Sequence, residues 1–89
     1  MNKPVESNEI LRKQIFDIID NQIRLKNPPE TSQTLERLIG LGFTRLEAKQ
    51  MIGQCIAVEL FYVLKQQQPF NNDRYLKNLK SLPKEPFDE

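Results

Sequence analysis

The chain has no histidine, no tryptophan and one cysteine, Cys55. Without histidine it lacks the side chain that most often serves as general base, as activator of a nucleophile and as transition-metal ligand. Ser-His-Asp and Cys-His catalytic sets and the usual zinc sites cannot be built from this chain alone. The expectation is therefore a protein that is not an enzyme and needs no metal or cofactor. A single cysteine excludes an internal disulfide and suits a reducing compartment. No excess of one charge sign exists either. Thirteen basic residues face twelve acidic ones, so neither nucleic acid nor a membrane surface is expected to be the partner by charge alone.

Long apolar runs are also missing. The longest mostly apolar stretch, residues 51–64, contains Gln54 and Glu59 and is too short to span a bilayer. Residues 1–9 show no apolar leader segment. A cytoplasmic location is expected. At 89 residues, one domain with one modest core is the limit, and pairing with a second copy is one way for so short a chain to gain buried area.

What is present is helical periodicity broken by proline and glycine, with no strand-like alternation. Four helices are predicted, at about residues 7–26, 30–41, 44–67 and 72–82, in one all-α four-helix domain covering 1–89. Ser7 or Asn8 is the expected cap of the first helix, with Leu11, Ile15, Ile18, Ile19 and Leu25 as its stripe. Asn27-Pro28-Pro29 ends it. Pro29 suits the first turn of the second helix, whose stripe is Leu35, Leu38 and Ile39, and Gly42 suits a left-handed stop. Thr44 and Glu47 form a T-x-x-E capping box for the third. From Met51 to Leu64 this helix is apolar almost all round, which predicts burial on most sides under its neighbours or a partner. Asn72 is the expected cap of the last helix, with Tyr75, Leu76, Leu79 and Leu82 facing inward. The tail 83–89 is expected to be mobile.

Few residues stand out as chemical candidates. Glu59 falls in the middle of an apolar face, where a carboxylate is costly unless paired or hydrogen-bonded. Gln22 holds the same position in the first helix's stripe, so Gln22 and Glu59 form a candidate buried polar pair. The functional alternative is a ligand- or metal-contacting carboxylate at Glu59. Cys55 shares that face and reads as a small buried hydrophobe. Arg45, Lys49 and Gln50 open the third helix and offer a candidate interaction surface; as a helix-turn-helix they would give weak nucleic-acid binding. Arg74, Lys77, Lys80 and Lys84 read as a solvated basic face suited to a helix C-terminus.

The ordered series Asp20-Asn21-Gln22, Pro28-Pro29-Glu30, Leu35-x-x-Leu38-x-x-x-Gly42, Arg45-x-Glu47-Ala48, Pro69-Phe70 and Tyr75-Leu76-x-x-Leu79 resembles a family of small bacterial all-helical proteins of unknown function. Members often carry histidines on the first helix and an H-E-x-x-H-like stretch opening the third, which places two histidines one turn apart. The corresponding stretch here is Leu46-Glu47-Ala48-Lys49-Gln50, with Arg12 and Phe16 at the compared positions of the first helix. The histidines are absent, so the resemblance implies the fold and carries over no metal site. The leading expectation is a non-enzymatic protein-interaction or self-association module, with a protein partner (a second copy or another protein). The alternatives are a degenerate metal or small-ligand binding domain centred on Glu59 and a weak nucleic-acid binder at the start of the third helix.

Overall fold

The computed structural model describes the backbone of residues 4–84 and the side chains of residues 9–84. Four helices follow one another: α1 (Pro4–Leu25), α2 (Pro29–Gly40), α3 (Arg45–Lys65) and α4 (Asn72–Ser81). No strand occurs among the described residues, and the all-α four-helix expectation holds. Helix α3 packs against all three others, while α4 packs on α2 and α3.

The stops are built as the residue types require. Gly42, at φ 110°, adopts the left-handed conformation that a side chain resists. Its N–H reaches the Ile39 carbonyl at 3.0 Å and the Phe43 N–H reaches the Leu38 carbonyl at 3.2 Å, the paired bonds of a Schellman stop. The Thr44–Glu47 capping box is complete: Glu47 N–H donates to Thr44 Oγ1 at 3.0 Å, and Thr44 N–H donates to Glu47 Oε1 at 2.8 Å. Two caps differ from expectation. Helix α1 starts at Pro4, so Ser7 and Asn8 lie inside it; proline fits the first turn, where its missing N–H costs nothing. Helix α4 is capped by Asn71, not Asn72: the Asn71 side chain accepts from Arg74 N–H at 3.0 Å. Residues 85–89 of the predicted mobile tail lie outside the described residues.

The core comprises Ile19 of α1, Leu35 and Leu38 of α2, Ala48, Ile52, Cys55 and Ile56 of α3, and Tyr75, Leu79 and Leu82 from the α4 end. Leu11 and Leu25, expected in the α1 stripe, are exposed, as is Ile39. A 22-residue α1 is about 33 Å long and a 12-residue α2 about 18 Å, so α1 overhangs the core at both ends. The larger correction concerns α3. Its buried residues, Ala48, Ile52, Gly53, Cys55, Ile56 and Glu59, lie on one side. Leu46, Phe61 and Leu64 remain 59%, 48% and 68% exposed. Burial on most sides is not achieved within the chain, because α1, α2 and α4 all gather on the same flank.

Ile52→Ala, at the centre of that flank, should cost about 2–5 kcal/mol. Leu41→Ala, at an exposed turn position, should change stability by less than about 0.5 kcal/mol. Urea midpoints at constant slope measure both.

Candidate functional site

Two polar clusters lie in the core, and they divide the candidate pair between them. Glu59 is fully buried. Its Oε2 accepts from Arg74 Nε at 2.5 Å, and its Oε1 accepts from Arg74 Nη2 at 2.9 Å and from the Asn71 backbone N–H at 2.8 Å. The planar guanidinium thus grips the carboxylate bidentately. The same guanidinium stacks over the Tyr62 ring at 4.0 Å. Only 11% of the Arg74 side chain is exposed, so Arg74 does not belong to a solvated basic face as its charge suggested. Lys77, Lys80 and Lys84 do face solvent.

Gln22 bonds elsewhere. Its Oε1 accepts from Thr31 Oγ1 at 2.6 Å and from Tyr75 Oη at 2.7 Å, and the two hydroxyl oxygens are 3.0 Å apart. One carbonyl oxygen has two lone pairs, so it takes both hydroxyl protons. Thr31 and Tyr75 are both fully buried. This cluster joins α1, α2 and α4, whereas the Glu59 cluster joins α3 to the start of α4. The candidate buried pair is therefore corrected: Glu59 is buried, Gln22 is half-buried at the core's edge, and their hydrogen bonds do not run to each other.

Neither cluster is arranged for chemistry. Both Glu59 oxygens accept from the Arg74 guanidinium, and Oε1 also from the Asn71 N–H, so a cation would have to displace the arginine. Among the described residues, no three or more of His, Cys, Asp and Glu come together as a metal-ligating group. Burial pushes the Cys55 thiol up to about 12, partly countered by a backbone hydrogen bond, and such a thiol is a poor nucleophile. Burial likewise raises the Tyr75 hydroxyl to about 12, with the Thr31 hydrogen bond opposing and the Cys55 charge adding to the rise.

The start of α3 is also altered by packing. Arg45 and Gln50 are exposed. Lys49 folds back onto α1, with Nζ 2.6 Å from Asp20 Oδ1 and 5.5 Å from the centre of the Phe16 ring. Its side chain is 19% exposed, which removes one of three groups from the candidate surface. Arg12, Phe16 and Gln50 line one open groove between α1 and α3, together with Ile15, Gly53 and Ala57.

The outer face of α3, expected to be covered by neighbouring helices or by a partner, is left open by the chain's own helices. At about 100° per residue, the exposed Leu46, Gln50, Ala57, Phe61 and Leu64 fall within one third of its circumference. Between residues 50 and 64 the one charged side chain is Glu59, and it points inward. About 22 Å of solvent-facing helix therefore carries no charge.

Glu59→Gln should destabilise the fold by about 3–5 kcal/mol by leaving Arg74 without its counter-charge; a urea midpoint at or above the wild-type value contradicts this role. The raised Tyr75 and Cys55 groups predict alkaline weakening. The folded state holds both protons to about pH 12, while the unfolded chain releases them near 10 and 9. Stability should be level below about pH 9 and fall by up to about 1.4 kcal/mol per pH unit per group on the way to pH 12. Urea titrations from pH 8 to 11.5 should show this fall, made shallower by Tyr75→Phe.

Compared with known proteins, this chain matches no family model, no curated protein and no solved structure.

Proposed function

We propose that this protein is a non-enzymatic protein-binding module that docks through the outer face of α3. The observation that carries this reading is the uncharged stretch ending in the exposed Phe61 and Leu64. Interface cores are depleted of charge and enriched in aromatic side chains, and the surface around them is polar. Phe61 stacks edge-on against Tyr62 at 5.3 Å, and Tyr62 in turn carries Arg74. A rigid aromatic backed by an arginine-carboxylate pair is the kind of anchor that concentrates binding energy. The two other readings have less support. A Glu59-centred ligand site would compete with Arg74 for both carboxylate oxygens. A nucleic-acid surface at the start of α3 would rely on Lys49, which is paired with Asp20. No described helix is long and apolar enough to cross a membrane.

Replacing both anchors, Phe61→Glu with Leu64→Glu, should leave the fold and thermal midpoint close to wild type, because both side chains are exposed. It should abolish the protein-protein cross-links that the wild type forms with amine- and photo-reactive reagents. Retention of the same cross-links by a folded double variant would refute docking through this face.

A further inference from the structure

We infer that the occupant of the α3 face is a second copy of this chain, in an antiparallel two-fold dimer whose axis passes over the α1–α3 groove. This inference rests on the docking reading above and names its partner. It is carried by charge complementarity along one helix and by a match of apolar end residues along another.

The first helix is α1. Glu9, Lys13, Asp20 and Arg24 are exposed and fall within about 60° of arc on its outer side. A two-fold axis perpendicular to the helix reverses chain direction. Placed midway between Phe16 and Asp17, it sets Glu9 opposite the partner's Arg24 and Lys13 opposite the partner's Asp20. Both of these pairs are of opposite sign, and the other exposed charges among the described residues of this helix, Arg12 and Asp17, fall opposite the uncharged Asn21 and Phe16. Lys13 also meets Asp17 of its own helix at 3.3 Å, but with side chains 78% and 60% exposed that pair is solvent-facing and weak. Asp20, bonded to Lys49 through Oδ1, keeps its other oxygen for a partner.

The second helix is α3. Reversal about the midpoint of Gly53 and Gln54 sets Leu46 opposite Phe61, and Gln50 opposite Ala57. Large apolar side chains thus meet at both ends, while in the middle the small Ala57 and Gly53 fall opposite the uncharged Gln50 and Gln54. The two midpoints are neighbours in space. A Cβ built on Gly53 would lie 3.2 Å from Ile15 Cγ2, and α1 and α3 run antiparallel, with Ile15 beside Gly53 and Asp20 beside Lys49. One axis therefore satisfies both helices at once. An unrelated partner would not require either pattern to be symmetric about its own centre. Two such layers of α1 and α3 stack into a four-helix arrangement with isologous contacts. With a net charge of +1 per chain, long-range repulsion between copies is small.

Sedimentation and cysteine cross-linking test this. The wild type should sediment at twice its 10.5 kDa chain mass, and Ala57→Glu, at an exposed helical position on the groove, should be a folded monomer. Leu46→Cys and Phe61→Cys should each give little disulfide-linked dimer alone and give it readily when mixed. Native Cys55 is buried and does not compete. Glu9→Arg should weaken association about three- to tenfold, and adding Arg24→Glu should restore it; this pair of surface variants serves if Ala57→Glu disturbs the fold. A dimer untouched by Ala57→Glu and by the charge swap, or disulfides that form in the single variants and not in the mixture, overturns the inference. A wild type that stays monomeric to about 1 mM also overturns it. In that case, loss of cross-links to another protein in the Phe61→Glu, Leu64→Glu variant keeps the docking reading, and absence of any cross-link in the wild type removes both.

Discussion

Helix α3 carries apolar residues on more of its circumference than three neighbours on one flank can cover, and the rest of the structure follows from that mismatch. Its inner face, with Ile52, Cys55 and Ile56, supplies the centre of the core. Each of the other helices packs on that face. The outer face keeps Leu46, Phe61 and Leu64 in solvent. Exposing large side chains singly is ordinary for a folded protein. Exposing Phe61 and Leu64 at the end of about 22 Å of helix with no outward charge is not, because a solvated helix face normally carries ionised residues.

The polar groups in the core do a different task. Helix α4 has ten residues, too few to be stable alone, and it is tethered at three points. Glu59 holds its start through Arg74 and the Asn71 N–H. The Tyr75 hydroxyl bonds Gln22 at its middle. Arg37 of α2 donates to the Leu79 and Leu82 carbonyls at 2.9 and 2.8 Å at its end, adding to the Leu82 N–H that the Leu79 carbonyl already accepts. Replacing such groups with apolar ones of equal volume is often neutral, whereas removing one partner alone is costly. The clusters thus specify where α4 lies more than they add net stability. They also brace the Tyr62 ring behind Phe61, so the core's polar chemistry reaches the proposed contact surface.

Much of the fold was legible in the sequence because its signals are local. Proline pairs, Gly42 and the Thr44–Glu47 box act within a few residues, and the structure uses each. The α4 cap falls one residue before the expected one, since adjacent asparagines offer the same side chain and the choice is fixed by tertiary contact, the Asn71 N–H donating to Glu59 while its side chain accepts from Arg74 N–H. Glu59 was recognisable as a buried polar residue from periodicity, and Gln22 as a polar residue on the packed side of α1, where it is half-buried. Their partners were not, because Arg74, Thr31 and Tyr75 lie 15, 9 and 53 residues away, and nothing local marks such separations. Periodicity also could not say which side of an all-round apolar helix the neighbours would choose. That choice decides which residues form the candidate site, so the site was less legible than the fold.

The most direct measurement is carbene footprinting of the purified chain across protein concentration. Labelling at Leu46, Phe61 and Leu64 should fall together as concentration rises, while labelling at Lys77 and Lys80 on α4 stays constant. Equal labelling of all five residues at every concentration would contradict an α3 face built to be covered by a second copy.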